Sequence, residues 1–227
     1  MFPYLPTFIH SFVDGIVFLF SGILLTFPKD KFFKEKKILF VFWMIAGITF
    51  LINTAQVLFF GLEMRDISFL FLKIMMCFIL AQFSVGAYFL FFKLFKSQFL
   101  LNIILIALGI FSLAYTYIYF THAQYEIVFG EPRIVLPNQP SASYLSGFSL
   151  VILLFFGFRI LYKDLKEYGF AGKSLASIYR LFAVIIYGGI AFLRTFYFLP
   201  HPWYLEIFYF LIPVLHYLSV REEIKSV

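Results

Sequence analysis

A small set of side chains able to do chemistry sits inside or beside long apolar runs, where such groups are costly. His10 and Asp14 are four residues apart, so a helix places both on one face. By the same spacing Asn53 and Gln56 share a face at i and i+3, and Tyr115 and Tyr119 at i and i+4. Tyr187 and Arg194 lie seven apart and point in one direction. Lys73 and Glu206 are isolated charges within their segments, and His216 follows Pro213 by three residues. In a pocket, Lys73 and Arg194 would hold an anionic group, and Asp14 or Glu206 a cationic one. The alternative is structural: Asp14–Lys73 and Arg194–Glu206 as ion pairs, with the two long cations reaching toward headgroups. Pro213 deletes a backbone hydrogen bond, and the kink expected there, beside titratable His216, could serve a conformational switch or simply pack.

The chemistry that is missing narrows the field. There is no GxSxG, no HExxH and no spaced acidic metal motif, so no catalytic residue is assigned. Cys77 is the only cysteine and lies in KIMMCFIL, and the four histidines are scattered. No metal site and no cofactor are therefore expected. A retinal protein needs a Schiff-base lysine in its last helix, and WYLEIFYFLIPVLHYLSV has none.

These residues are embedded in a chain of 227 residues that is 63% hydrophobic and 13% charged, with 36 Phe and 15 Tyr. Soluble domains average roughly 45–50% apolar and about 25% charged. The composition excludes both a soluble globular domain and a disordered chain. Apolar stretches fall near residues 8–27, 38–60, 67–92, 99–120, 143–162, 175–199 and 203–220, each long enough to cross about 30 Å of hydrocarbon as a helix. The start, MFPYLPTFIH, lacks a basic n-region and reads as a retained first helix rather than a cleaved leader. The expected fold is a single all-α domain, a seven-helix transmembrane bundle.

Lys and Arg set the expected orientation. Fourteen of the 18 fall in alternate connections and the tail: Lys29, Lys31, Lys34, Lys36, Lys37, Lys93, Lys96, Arg159, Lys163, Lys166, Lys173, Arg180, Arg221 and Lys225. The positive-inside rule then puts the N-terminus outside, the C-terminus in the cytoplasm and the protein in the cell (inner) membrane, multi-pass. The net charge of +6 follows from this topology and needs no nucleic acid. With this orientation the polar residues above concentrate in the outer half, leaving an inner half of Phe, Leu and Ile apart from His216 and a few small or amide groups. The outer connection between the fourth and fifth spans contains QYEIVFG and RIVLP around Gly130-Glu131-Pro132, which reads as a short β-hairpin lying over the outer mouth.

Three segments carry a resemblance. The first span ends in a Pro-plus-basic loop (LLTFPKDKFFKEKKILF), a Trp-containing second span follows (VFWMIAGITFL), and the last runs into a charged stretch (HYLSVREEIKSV). This layout resembles the seven-helix N-terminal membrane sensor region of bacterial histidine kinases. The resemblance implies a receptor-like module that binds an external or membrane-dissolved ligand, small molecule or lipid. It would signal to a cytoplasmic partner or through a homodimer. That family continues into a dimerisation helix and a kinase domain, which the residues up to Val227 do not include. A small-solute or lipid transporter, or a structural subunit of a membrane complex, would also fit the sequence.

Overall fold

Along the first helix, α1 (Leu5–Leu24), most large apolar side chains face outward, while small and polar ones are buried with Val17 and Phe18. Leu5, Ile9, Phe12, Ile16, Phe20 and Ile23 are exposed, while Ser11, Asp14, Gly15, Ser21 and Gly22 are buried. A bundle in water would reverse this pattern. Hydrocarbon permits it, because helices in lipid are held by close approach of small residues and by hydrogen bonds between them.

The computed structural model describes residues 4–29, 33–95, 97–128, 131–135, 141–168, 172–195 and 207–225. After α1 come α2 (Lys34–Gly61), α3 (Arg65–Leu94) and α4 (Gln98–His122). Strands β1 (Gln124–Val128) and β2 (Glu131–Val135) pair antiparallel, with Tyr125 opposite Ile134 and Ile127 opposite Pro132. Then follow α5 (Ser141–Tyr168), α6 (Gly172–Thr195), a 3-10 turn (Ile207–Phe210) and α7 (Leu211–Lys225). Helices α1 to α4 are each long and apolar enough to cross a membrane, and α6 carries a shorter apolar run, Leu175–Ala191. This predominantly helical architecture supports a membrane protein.

Consecutive helices α1 to α4 pack side by side, α5 packs on α6 and α3, and α7 packs on α6 and α1. The chain therefore closes a ring through α1, α2, α3, α5, α6 and α7, with α4 resting on α3 outside it. The α2–α3 turn is tight: Met64 N–H donates to Phe59 O and Glu63 N–H to Phe60 O, with Glu63 in the left-handed region (φ 61°). That pairing closes the carbonyls at the end of α2 as a Schellman cap. At the start of α4, Ser97 Oγ accepts from Leu100 N–H.

The last helix departs from the expected span of 203–220. The described helix begins only at Leu211 and runs to Lys225, and residues 203–206 lie outside the described residues. Pro213 consequently falls in the first turn of α7, just past the 3-10 turn. It sits where a helix tolerates proline rather than kinking a long helix at its middle.

Helices α1 and α2 approach most closely at Gly15 and Gly47. A Cβ on Gly47 would lie 2.6 Å from Leu19 Cγ and 2.9 Å from the Gly15 carbonyl oxygen. Because that oxygen is backbone, the helices themselves must part to admit a methyl group. Gly47→Ala should therefore destabilise the bundle by about 1–3 kcal/mol. Gly109→Ala on α4, where nothing lies within 4 Å, should leave stability unchanged or raise it by about 1 kcal/mol or less. Thermal unfolding of the two variants in one detergent separates these outcomes, and an equal effect would contradict the close contact.

Candidate functional site

The strongest polar cluster lies where α1, α3, α5 and α7 end and α2, α4 and α6 begin. Arg180 of α6 is 2% exposed and bridges two carboxylates. Its Nε donates to Glu35 Oε1 of α2 at 2.9 Å, and its Nη1 to Glu223 Oε1 of α7 at 2.6 Å and to Ser219 Oγ at 2.7 Å. Glu223 Oε2 receives Lys36 Nζ of α2 at 3.0 Å, and Lys36 is fully buried. Lys36 also donates to the Phe27 carbonyl just beyond α1. Lys93, near the end of α3, lies 3.3 Å from Glu35 and 3.7 Å from Asp164 of α5, and donates to Ser177 Oγ. Three cations and three carboxylates thus join five helices, and the Phe33 ring covers the guanidinium at 5.3 Å. Burial pushes the Asp164 carboxyl above its usual range, and Lys93 offsets this only in part.

Each element brings its charge by helical spacing. Ser177 and Arg180 are three apart on α6, and Ser219 and Glu223 four apart on α7 with His216 three residues before, so each helix turns one face to the cluster. Adjacent Glu35 and Lys36 diverge around the first turn of α2 and so can reach different partners.

Next to the charges the core turns aromatic. Phe18, Phe42, Trp43, Phe50, Tyr187 and Tyr209 form a continuous set of ring contacts. Tyr187 Oη donates to Gln82 Oε1 of α3 at 2.9 Å. His216 is fully buried and meets the Trp43 ring edge-on at 5.4 Å. Neither ring nitrogen of His216, nor Trp43 Nε1, nor Gln82 Nε2, has a hydrogen-bond partner among the described residues.

The expected outer site is placed differently from the sequence expectation. Lys73 does not pair with Asp14. Its Nζ donates to the Phe120 carbonyl at 2.8 Å and lies over the Phe69 and Phe120 rings, because its face of α3 is turned to α4. Asp14 is buried on α1, which packs on α2 and α7. Asn53 and Gln56 do not act on one side either. Asn53 donates to Ser11 of α1 at 2.8 Å and Gln56 to Ser68 of α3 at 2.9 Å. Since α2 lies between those helices, the separation of about 60° at i,i+3 is enough to send them apart. Tyr115 packs on Phe111 and near Leu80 at the α3–α4 contact, and His10 is exposed. Glu206 lies outside the described residues, as do the side chains of Tyr119 and Arg194, whose backbones belong to α4 and α6. Tyr187 and His216 are brought together through Trp43.

The half expected to hold mostly Phe, Leu and Ile, apart from His216 and a few small or amide groups, thus carries a charge cluster. Every ion pair found among the described residues belongs to the end rich in Lys and Arg. The cations that form it were read from the sequence as loop charges.

No family model, curated protein or solved structure matches this chain.

Removing one member of a buried pair strands the other. Arg180→Ala should lower stability by about 3–5 kcal/mol, and pairing Arg180→Met with Glu223→Gln should recover part of that loss. Lys225→Ala breaks only an exposed pair with Glu222 and should stay within about 0.5 kcal/mol. Chemical denaturation in detergent ranks the variants, and a mild Arg180→Ala would mean that the cluster is not sealed from solvent.

Proposed function

We propose that the chain is a seven-span protein of the cell membrane, N-terminus outside and C-terminus cytoplasmic, acting as a sensor or receptor-like module. A ligand on the outer side shifts α6 and α7, and the charge cluster at the cytoplasmic end passes that shift to a partner or a second copy. One observation carries the reading: Arg180 is shared by Glu35 of α2 and Glu223 of α7. Displacing α7 would break its bonds to Arg180 and Lys36 while Arg180 keeps Glu35. A second arrangement, with α7 released from Arg180, is what the proposed two-state element requires. A buried ionic cluster is also a poor choice for stability alone, since apolar side chains of similar volume often do as well or better.

The alternating helix directions support the odd number of spans. Contacts of Lys34 with Gln98, Lys36 with Phe27 and Glu223, and Lys93 with Ser177 gather the ends of α1, α3 and α7 and the starts of α2, α4 and α6 on one side. That side holds the described residues among the 14 basic positions counted above, as the cytoplasmic face should. The paired strands then belong to the outer side, with β2 against α3. In this reading the ligand contacts remain on the outer halves of α1 and α6, with Asp14 and Arg194 as the charged groups.

Spin labels at Val41→Cys and Ile224→Cys, both exposed positions, in a Cys77→Ser background report the separation of α2 and α7 in nanodiscs. The sensor reading expects two distance populations whose ratio Glu223→Gln shifts toward the longer one. A single distribution that Glu223→Gln leaves unchanged would sink it. Substrate uptake into proteoliposomes would replace it with the transporter reading.

A further inference from the structure

The exposed face of α5 changes character along its length. Val151, Phe155, Phe158 and Tyr162 are 45%, 63%, 55% and 68% exposed, and Arg159, Lys163 and Lys166 are exposed beside and beyond them. At about 100° per residue these seven positions fall within one stripe of about 140°. The opposite side of the helix is interior: Gly157, Ile160 and Leu161 are buried and Asp164 turns to Lys93. The helix thus has an apolar strip leading into a basic cap, with a tyrosine at the junction.

Among the described side chains, four acids at this end pair inside the bundle or along the tail. Glu35, Asp164 and Glu223 pair with half-buried Lys93 and with buried Arg180 and Lys36, and Glu222 pairs with Lys225. At the same end Lys29, Lys37, Arg159, Lys163, Lys166 and Arg221 are exposed. Only on α5 do three of these stand in one stripe above exposed aromatics.

We propose that this stripe binds an anionic phospholipid of the surrounding bilayer, its headgroup held by Arg159, Lys163 and Lys166 and its acyl chain lying along Phe158, Phe155 and Val151. From Arg159 down to Val151 the helix rises about 12 Å, close to the roughly 15 Å of hydrocarbon in one leaflet. Tyr162 occupies the level at which aromatic side chains favour the interface. Guanidinium and ammonium groups supply the charge-assisted hydrogen bonds that a phosphodiester accepts. A soluble anion would use the cations and leave the aromatic strip without a role; a lipid uses both. The inference rests on α5 lying in the bilayer, as in the proposed topology.

The test is native mass spectrometry of the full chain in mild detergent, titrated with phosphatidylglycerol, phosphatidylcholine or inorganic phosphate. The wild type should retain phosphatidylglycerol in preference to phosphatidylcholine, and Arg159→Gln with Lys166→Gln should reduce that preference about tenfold. A control with Lys29→Gln and Arg221→Gln, which removes equal charge at the same end, should keep it. Equal retention of both lipids by the wild type, or equal loss in the control, overturns the site. So does displacement of phosphatidylglycerol by equimolar phosphate, or a second protein chain bound in its place. Carbonate extraction of the same membranes separates the two claims. A chain that stays embedded without lipid preference refutes the lipid site alone, whereas a released chain refutes the membrane topology beneath it.

Discussion

Arg180 carries a permanent charge into the interior between Glu35 and Glu223, and the packing at that end has to keep all three from water while leaving none unpaired. Moving such ions out of water costs several kcal/mol each, recovered only where geometry and further hydrogen bonds are good. Ser219, Ser177 and the Phe33 ring supply those additions, and Lys36 and Lys93 balance the carboxylates. Lys36 also meets the Phe27 carbonyl at the negative end of α1, where a cation is favoured. Six helices are thereby tied to one cluster, and the position of each is conditional on the others.

The opposite end is held by different means. Asn53 to Ser11, Gln56 to Ser68 and Lys73 to Phe120 O are single bonds between neighbouring helices, and apart from Lys73 the groups involved are neutral. Such contacts are worth about 1 kcal/mol or less each in a membrane. Between the two ends, Gly15 against Gly47 sets the α1–α2 distance, and the ring contacts of Phe18, Trp43 and Tyr187 fill the centre. Among the described residues, single hydrogen bonds thus join helices at one end and a shared ionic cluster joins them at the other.

The apolar runs were legible because hydrocarbon demands their length: the stretches near 38–60, 67–92 and 99–120 lie within α2, α3 and α4. The charge cluster was not, because several helices outrun their apolar stretches. Helix α2 begins at Lys34, α5 continues to Tyr168 and α7 to Lys225, so residues that look like loop and tail charges occupy extra helical turns that pack. Lys36 and Lys37 are adjacent in sequence, yet Lys36 is buried against Glu223 of another helix while Lys37 is exposed. The available signal was periodic: Ser177 with Arg180, and His216, Ser219 and Glu223 at i, i+3 and i+7, mark one polar face on each helix. The Asp14–Lys73 pairing failed for a related reason, since helical spacing fixes directions within a helix and not which neighbour a face meets.

That distinction between a helix's own geometry and its neighbours is sharpest on α5. Asp164 is held inside by Lys93, while Arg159 and Lys166, within five residues on either side, face outward. One rigid helix therefore carries a carboxylate belonging to the ionic cluster and cations belonging to the membrane interface. Lys163, next to Asp164 in sequence, also draws on that carboxylate's charge. An anion placed over Lys163 would compete for the same cation and weaken the attraction that Asp164 feels, leaving Lys93 to hold it more heavily. Because Lys93 is shared with Glu35, and Glu35 with Arg180, the charge outside α5 and the pairing inside the bundle are one electrostatic problem.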